Sequence, residues 1–225
     1  MTSYAAYLFD MDGLLLDTER LFMVPLVTLA AREGIDASAA EAFYLDLIGT
    51  SVAETSRRLE TFLPPHIDVS AFEANWRLEY DALVAKHVPL RPYAKEVLDA
   101  LKSQGARMAL VTSTHGASAR SKLTKAGIID YFELIKAGDE VSANKPDPAP
   151  YREAAKGLGV DPKDCVAFED SDTGTTSAIR AGCLTYQIPD LRPIGKPLPN
   201  LGQKMAQTLW EAARDLGVIN PALTS

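Results

Sequence analysis

Two aspartates separated by one residue, Asp10 and Asp12, follow a short apolar run and precede a glycine. The segment from Leu8 to Gly13 reads Leu-Phe-Asp-Met-Asp-Gly. Alternate residues of an extended strand point to the same side, so both carboxylates can converge where such a strand ends. One carboxylate could then attack phosphorus as a nucleophile while the other handles protons. The alternative is a pair of solvated aspartates at a strand end.

A second acidic pair, Glu169 and Asp170, follows another apolar run at residues 165–168. Neighbouring carboxylates repel each other, so an active group of them benefits from a divalent cation, and oxygen ligands suit Mg²⁺ better than Zn²⁺. Taken alone, the pair could equally cap the helix that follows. Because acidic residues end two separate apolar runs, the sequence favours a magnesium site.

Hydroxyls and a lysine could hold the oxygens of a phosphoryl group, whose charge shifts during transfer. Thr112 and Ser113 follow a third apolar run, and Lys145 lies in the proline-rich stretch Asn-Lys-Pro-Asp-Pro. The hydroxyls have an alternative role in capping a helix predicted at 118–126. A loop lysine, for its part, is ordinarily solvated.

The elements that must position these residues follow from the hydrophobic pattern. Short apolar runs rich in β-branched or aromatic residues alternate with amphipathic stretches, which predicts a doubly wound α/β fold with a parallel sheet. The predicted strands are residues 5–9, 107–111, 132–135, 165–168 and 184–188. Such sheets build their sites at the carboxyl ends of strands, where the candidate residues fall.

The first connection is far longer than an ordinary crossover, because roughly 70 residues of helical pattern separate the first strand from the second. The predicted helices there are residues 19–33, 38–47 (ending near Gly49), 52–62 and 70–86. We therefore predict a helical domain at 18–87 inserted into an α/β core formed by 1–17 and 88–225. A loop at 189–199 and a final helix at 203–215 complete the prediction.

Composition limits the classes of partner. The chain has 225 residues, 47% hydrophobic side chains and a formal net charge of −7. This charge disfavours nucleic acid and anionic membranes, so an anionic substrate needs a local cationic pocket. We see no secretory signal and no apolar stretch of the roughly 20 residues that span a bilayer. With only Cys165 and Cys183, a disulfide framework is not expected, and we predict a cytoplasmic protein.

With these four segments in this order, the chain resembles the haloacid dehalogenase superfamily of phosphotransferases, in the subgroup with a helical cap inserted after the first motif. The resemblance implies that Asp10 is the nucleophile and a Mg²⁺ ligand. It also implies that Asp12 protonates the leaving oxygen, then activates water, and lends its backbone carbonyl to the metal.

The resemblance assigns roles to the other motif residues as well. Thr112 and Lys145 would bind the phosphoryl group, with Ser113 beside them. Asp170 would coordinate Mg²⁺ directly, while Glu169 would act through water or orient its neighbours. The four motifs occur in the family's order, and this ordered match carries more weight than any one of them alone.

The reaction class follows from the details of the match. Family members that cleave carbon–halogen bonds lack the acid that Asp12 supplies here. Mutases similar to β-phosphoglucomutase have a histidine shortly after the first motif and an arginine in the cap's glycine loop. Here residues 17–22 contain no histidine and residues 47–52 contain no arginine. We therefore predict a phosphatase, with a mutase as the alternative.

The substrate class is predicted only broadly. The run from Asp10 to Glu19 resembles sugar-phosphate and nucleoside-monophosphate phosphatases, which makes Glu19 a candidate substrate-binding residue and a small phosphorylated metabolite the expected partner. A catalytically idle phosphosugar-binding regulator is a third hypothesis. We expect a monomer or weak homodimer and assign no role to Arg20 or His115.

Overall fold

A computed structural model describes residues 4–48, 50, 52–192, 195 and 197–219. Gly49 and Ser51, in the predicted cap loop, lie outside these described residues, as do Pro193, Ile194 and Lys196 of the predicted loop at 189–199. The contacts divide the chain into two compact units. One comprises Met1–Asp17, Pro89–Asp190 and Leu198–Ser225, and the other comprises Thr18–Val88 and Leu191–Pro197.

The first unit is built on a parallel sheet that has six strands within the described residues. The strands are β1 (Ala6–Phe9), β2 (Met108–Val111), β3 (Leu134–Lys136), β4 (Cys165–Glu169), β5 (Leu184–Gln187) and β6 (Lys204–Met205). Their order is β3-β2-β1-β4-β5-β6, and every neighbouring pair is parallel. The predicted doubly wound α/β fold is confirmed. β1, β2 and β4 are buried throughout, which explains why they appear in the sequence as continuous apolar runs.

The second unit is helical: α1 (Thr18–Arg32), α2 (Ala37–Leu47), α3 (Val52–Phe62) and α4 (Val69–Lys86). Pro25 lies inside α1, which continues across it. Trp76 of α4 anchors the core of this unit, because its ring stacks on Phe22 at a centroid distance of 4.4 Å and its indole N–H donates to the Phe22 carbonyl at 2.6 Å. Asp36 and Asp68 cap α2 and α4 by accepting from backbone N–H groups.

The sheet unit contributes five further helices within the described chain. They are α5 (Ala94–Ser103), α6 (Gly116–Lys125), α7 (Ala149–Gly157), α8 (Asp172–Ala181) and α9 (Leu209–Asp215). None of the helices among the described residues has the length and apolar character required to cross a membrane.

The predicted final helix at 203–215 is wrong in its first part. Lys204 and Met205 instead form β6, which pairs with β5, and the pairing continues as the Ala206 N–H donates to the Gln187 carbonyl at 3.1 Å. The helix begins only after Thr208, whose hydroxyl accepts from the Glu211 N–H at 3.2 Å. A threonine cap followed by a glutamate is a helix start signal, and it places the boundary later than the hydrophobic pattern alone suggests.

The strand register brings the predicted site residues to one edge of the sheet. Phe9 at the end of β1 lies opposite Leu110 of β2 and Phe168 of β4. The residues that follow, Asp10 after β1 and Glu169 at the end of β4, therefore emerge side by side. This edge, at the carboxyl ends of the strands on either side of β1, is where doubly wound folds place their sites.

Candidate active site

Asp10 is held at the centre of this edge by its backbone and by its carboxylate. Its N–H donates to the Phe168 carbonyl at 3.0 Å, which extends the β1–β4 ladder by one residue. Only 7% of the residue is exposed, and its Oδ1 accepts from Lys145 Nζ at 2.5 Å. The sequence-predicted nucleophile and the sequence-predicted lysine are thus in direct contact.

The ammonium group of Lys145 contacts three acceptors. Nζ contacts Asp10 Oδ1 at 2.5 Å, Glu169 Oε1 at 2.6 Å and the Val111 carbonyl at 2.9 Å. These three acceptors match the three donors of an ammonium. The side chain is 5% exposed, so Lys145 is buried and not solvated. Burial alone would lower the pKa of Lys145, but the charges of Asp10 and Glu169 outweigh it and raise the pKa above its usual value.

The pKa of Asp10 is raised to about 8, chiefly by burial and further by the negative charges of Glu169 and Asp12, while Lys145 opposes the rise. Burial and the neighbouring carboxylates therefore raise the pKa of Asp10 by more than the Lys145 ammonium lowers it. A further positive charge beside Asp10 would lower its pKa again.

The residues that could hold such a charge are already assembled. Asp10, Glu169 and Asp170 offer carboxylate oxygens that all lie within 4.8 Å of one another. A donor set made only of oxygen suits a hard cation such as Mg²⁺. Among the described residues, the Asp12 side chain is not part of this cluster, so its predicted metal contact would have to come from the backbone carbonyl.

Two glycines allow these carboxylates to approach. Gly13 has a φ of 85°, and a Cβ added there would lie 2.5 Å from Asp170 Oδ2. A Cβ added to Gly174 would lie 2.0 Å from Glu169 Oε2. Such distances exclude a side chain at either position unless the carboxylate moves.

Glu169 is fully buried and held by hydroxyl donors. Tyr151 Oη donates to Oε1 at 2.5 Å, and Ser171 Oγ donates to Oε2 at 3.2 Å. Burial and the charge of Glu169 raise the pKa of Tyr151 well above its usual value, so its hydroxyl stays protonated as a donor. The sequence did not single out Tyr151, because an aromatic residue on a helix usually indicates core packing.

The Asp12 carboxylate is held by Thr114, one of the hydroxyl residues that follow the third apolar run, and by Lys122, which the sequence does not single out. Thr114 Oγ1 donates to its Oδ2 at 2.6 Å, and Lys122 Nζ contacts its Oδ1 at 2.9 Å. Lys122 lies on α6 between the buried Ala119 and Leu123 and is itself 8% exposed. A lysine within the apolar stripe of a helix was the available signal.

Thr112 and Ser113 lie in the turn after β2. Thr112 is buried, its N–H donates to the Lys136 carbonyl at 2.9 Å, and its Oγ1 accepts from the Thr114 N–H at 3.1 Å. Ser113 is exposed. Neither caps α6, since His115 occupies the cap position.

The alternative capping role of the second acidic pair is also excluded. Ser171 occupies the cap position of α8, and its hydroxyl accepts from the Gly174 N–H at 3.0 Å. Glu169 and Asp170 instead belong to the carboxylate cluster.

Glu19 belongs to the helical unit. Tyr44 Oη donates to its Oε2 at 2.7 Å and contacts its backbone carbonyl at 2.9 Å. The two residues line a cavity of about 250 Å³ together with Phe22, Trp76 and Arg77.

A parallel sheet that presents a buried aspartate, a buried lysine and a carboxylate cluster at the carboxyl ends of its strands is the arrangement expected of a hydrolase of the phosphoryl-transfer type. The family described as "Haloacid dehalogenase-like hydrolase" matches residues 7–188, and the chain belongs to this family.

Known proteins of similar sequence include Protein CbbY of Rhodobacter capsulatus, 32% identical over 82% of this chain and 85% of that protein. A phosphoglycolate phosphatase of Thiobacillus denitrificans is 31% identical over 92% of this chain and 93% of that protein. Among solved structures, a Thermotoga maritima protein provisionally named β-phosphoglucomutase superposes with a TM-score of 0.78 and 28% identity, covering 96% of this chain and 99% of that one.

Proposed function

We propose that this chain is a Mg²⁺-dependent phosphatase that hydrolyses a small phosphorylated metabolite, of the sugar-phosphate or nucleoside-monophosphate class, through an aspartyl-phosphate on Asp10. The observation that carries this proposal is the contact of Asp10 with buried Lys145 inside a cluster completed by Glu169 and Asp170. The similarity to a phosphatase over 92% of the chain supports it.

In the first half of the reaction, an oxygen of Asp10 attacks phosphorus and forms a new O–P bond. The bond between phosphorus and the leaving oxygen breaks, and Asp12 transfers its proton to that oxygen. Thr112 and Ser113 donate to the phosphoryl oxygens, and Lys145 exchanges one of its three acceptors for a phosphoryl oxygen, so that these groups stabilise the charge of the transition state.

In the second half, Asp12 accepts a proton from water as the water oxygen attacks phosphorus. The bond between the Asp10 oxygen and phosphorus breaks, so inorganic phosphate leaves and the Asp10 carboxylate is restored. The same aspartate therefore serves as acid and then as base, which requires that it stay close to the phosphorus in both steps.

Asp10, Asp170 and the backbone carbonyl of Asp12 would hold Mg²⁺, while Glu169 would act through water or orient its neighbours. When bound, the ion offsets the negative charges of Asp10 and the phosphoryl group. The clustering of oxygen donors and the raised pKa of Asp10 both support this assignment.

We assign catalysis to the unit that contains residues 1–17 and most of 88–225, and substrate selection to the inserted helical unit, with Glu19 as a candidate substrate-binding residue. The net charge of −7 supports a small-molecule substrate in preference to nucleic acid or membrane. We further propose that the protein acts as a monomer or weak homodimer, which size-exclusion chromatography tests directly.

A sugar-phosphate mutase is the second candidate, and the structural similarity to the Thermotoga maritima protein favours it. Against it, residues 17–22 lack a histidine and residues 47–52 lack an arginine, so a second phosphate group would have no bidentate partner in that loop.

The test is release of inorganic phosphate from a panel of sugar phosphates, nucleoside monophosphates and phosphoglycolate, with Mg²⁺ and with a chelator, beside a hexose-phosphate isomer assay. Mg²⁺-dependent phosphate release on a few substrates is the expected result. Isomer formation without phosphate release would establish the mutase instead.

Substitution of the nucleophile tests the covalent step. Asp10→Asn should abolish phosphate release, because an amide cannot form the aspartyl-phosphate, and the circular dichroism spectrum should not change. Asp130→Asn, which alters an exposed aspartate of the same unit, is the matched control and should leave turnover unchanged. Retained activity in Asp10→Asn would contradict the mechanism.

A further inference from the structure

Lys122 is a second buried lysine near the proposed reacting groups, and it contacts a carboxylate other than the two that Lys145 contacts. Its Nζ lies 2.9 Å from Asp12 Oδ1, and the side chain is 10% exposed. An ammonium group is rarely buried to this degree unless it is paired. The position of Lys122 among the apolar residues of α6 therefore needs an explanation in terms of Asp12.

Asp12 is restrained through both of its carboxylate oxygens. Lys122 contacts Oδ1, and the Thr114 hydroxyl donates to Oδ2 at 2.6 Å. Thr114 is fixed in turn, because its N–H donates to Thr112 Oγ1 at 3.1 Å and its carbonyl accepts from the Gly138 N–H at 3.0 Å. One donor in the loop after β2 and one on α6 thus restrain the rotation of the carboxylate.

Orientation matters for the role assigned to Asp12. A general acid must lie within hydrogen-bond reach of the atom that it protonates, and small misplacements cost large factors in rate. Without Lys122, the Asp12 carboxylate would lose the contact that restrains its Oδ1.

We propose that Lys122 is a positioning residue that, together with Thr114, holds Asp12 in the orientation from which it passes its proton to the leaving oxygen. This inference rests on the proposed phosphatase function. As the P–O bond to the leaving group breaks, the proton moves from the Asp12 carboxyl to the leaving oxygen, and Asp12 becomes a carboxylate that remains held by Lys122 and Thr114.

The proposal has a kinetic signature that a purely structural role lacks. The leaving group of an alkyl phosphate is a strongly basic alkoxide unless its oxygen is protonated. Phosphoryl transfer from an alkyl phosphate therefore depends on Asp12. p-Nitrophenyl phosphate releases a stable phenolate that needs no proton. Misorientation of Asp12 should therefore slow the first substrate and largely spare the second, when both are compared as kcat/KM, which reports on the steps through phosphoryl transfer.

The experiment compares wild type and Lys122→Met on p-nitrophenyl phosphate and on the alkyl phosphate that wild type hydrolyses fastest in the panel. We expect kcat/KM for the alkyl phosphate to fall by about 10- to 100-fold in Lys122→Met, and kcat/KM for p-nitrophenyl phosphate to fall by less than about 3-fold. Asp12→Ala removes the acid itself, so it sets the upper limit for the difference in kcat/KM between the two substrates.

The controls separate positioning from general damage. Lys125→Met makes the same change at an exposed position of the same helix and should leave both substrates unaffected. Lys122→Arg should recover part of the alkyl phosphate activity, because it restores a charged donor. Thr114→Val removes the other contact to Asp12 and should show the same substrate discrimination, which keeps the test decisive if Lys122→Met fails to fold.

The outcomes distinguish the two proposals. If wild type releases phosphate and the folded Lys122 and Thr114 variants slow both substrates equally, or slow neither, the positioning role is wrong and the phosphatase stands. If wild type releases no phosphate from any member of the panel, the proposed function fails and this inference fails with it.

Discussion

Lys145 is a single cation on which two buried carboxylates depend. It lies between Asp10 and Glu169, and the Val111 carbonyl accepts its third hydrogen bond. Removal of the ammonium would leave two acidic groups buried without compensation, which is among the most destabilising changes that a single substitution can make. The residue is therefore expected to contribute both to stability and to transition-state binding.

Lys145→Met should lower turnover by at least about 100-fold, because a donor to the phosphoryl oxygens is lost. It should also lower the free energy of unfolding by about 3–5 kcal/mol, because buried carboxylates lose their partner. Phosphate release and urea unfolding measure the two effects.

The matched control for this substitution is Lys156→Met, an exposed lysine on α7. A surface change of this kind should alter stability by no more than about 0.5 kcal/mol. Equal stabilities of Lys145→Met and Lys156→Met would show that the buried ion pairs contribute nothing net.

The candidate residues that the structure brings together at the strand ends could be predicted from sequence, because acidic residues and hydroxyls follow apolar runs in a fixed order. The residues that hold them could not. Lys122 lies 110 positions from Asp12, and a lysine on an amphipathic helix is normally at the surface. The contact of Tyr151 with Glu169 could not be predicted for the same reason, since it forms only when α7 packs against β4.

At the scale of elements, the junction between β4 and α8 is unusually tight. β4 ends in Glu169, Ser171 caps α8, and Gly174 in the first turn of α8 faces the Glu169 carboxylate. The helix can begin this close to the strand only because position 174 has no side chain. The spacing of cap, glycine and glutamate is thus part of the site.

Gly174→Ala should displace Glu169, since the new Cβ would lie 2.0 Å from Oε2. We expect a loss of stability of about 1–3 kcal/mol and a higher Mg²⁺ concentration for half-maximal activity. Gly157→Ala is the control, because the added Cβ would meet the movable end of the Leu134 side chain. Equal Mg²⁺ dependence in the two variants would contradict this account.

Two buried thiols lie at neighbouring strands: Cys165 begins β4, and Cys183 directly precedes β5. Burial raises the pKa of Cys165 to about 11 and that of Cys183 to about 12. In the unfolded chain the thiols ionise near pH 8.5. Between the unfolded-state pKa and the folded-state pKa, only the unfolded chain loses the thiol protons. The contribution of the two thiols to the free energy of unfolding should therefore fall as the pH rises above about 9.

This dependence can be isolated with Cys165→Ala/Cys183→Ala. Between pH 8 and pH 10, the free energy of unfolding should fall by about 2 kcal/mol per thiol less in the double variant than in wild type. Urea unfolding at a series of pH values measures the difference, and the tyrosines titrate in both proteins. Parallel pH dependences would mean that the thiols ionise equally in the folded state.

Hydrophobic periodicity predicted the positions of most helices and strands, and the elements that it did not predict have local causes. The five predicted strands are present, but β6 has only two residues, Lys204 and Met205, both exposed. So short a segment has no hydrophobic alternation to detect. Its place in the sheet depends on pairing with β5, which sequence alone does not reveal.

The carboxylate cluster should make the stability of the protein depend on divalent cations. Three carboxylates lie close together, and the Lys145 ammonium contacts two of them. A cation that binds only the folded state should stabilise it by about 2.7 kcal/mol at 100 times its dissociation constant. Thermal unfolding should therefore shift upward with the logarithm of the Mg²⁺ concentration.

Asp170→Asn is the control for this shift, because it removes one oxygen anion from the cluster while keeping the size of the side chain. Its melting temperature should respond much less to Mg²⁺, with sodium chloride at matched ionic strength as the reference. An equal shift in wild type and Asp170→Asn would place the stabilising cation elsewhere.

The helical unit is not one continuous stretch of chain. Thr18–Val88 forms most of it, but Leu191–Pro197 belongs to it as well, and Leu191 packs against its hydrophobic core. Recombination that exchanged residues 18–88 alone would therefore combine the helices of another protein with the original Leu191. Because the two stretches of sequence must change together, we expect new substrate selectivity to arise more readily by point substitution within the helices than by exchange of the whole unit.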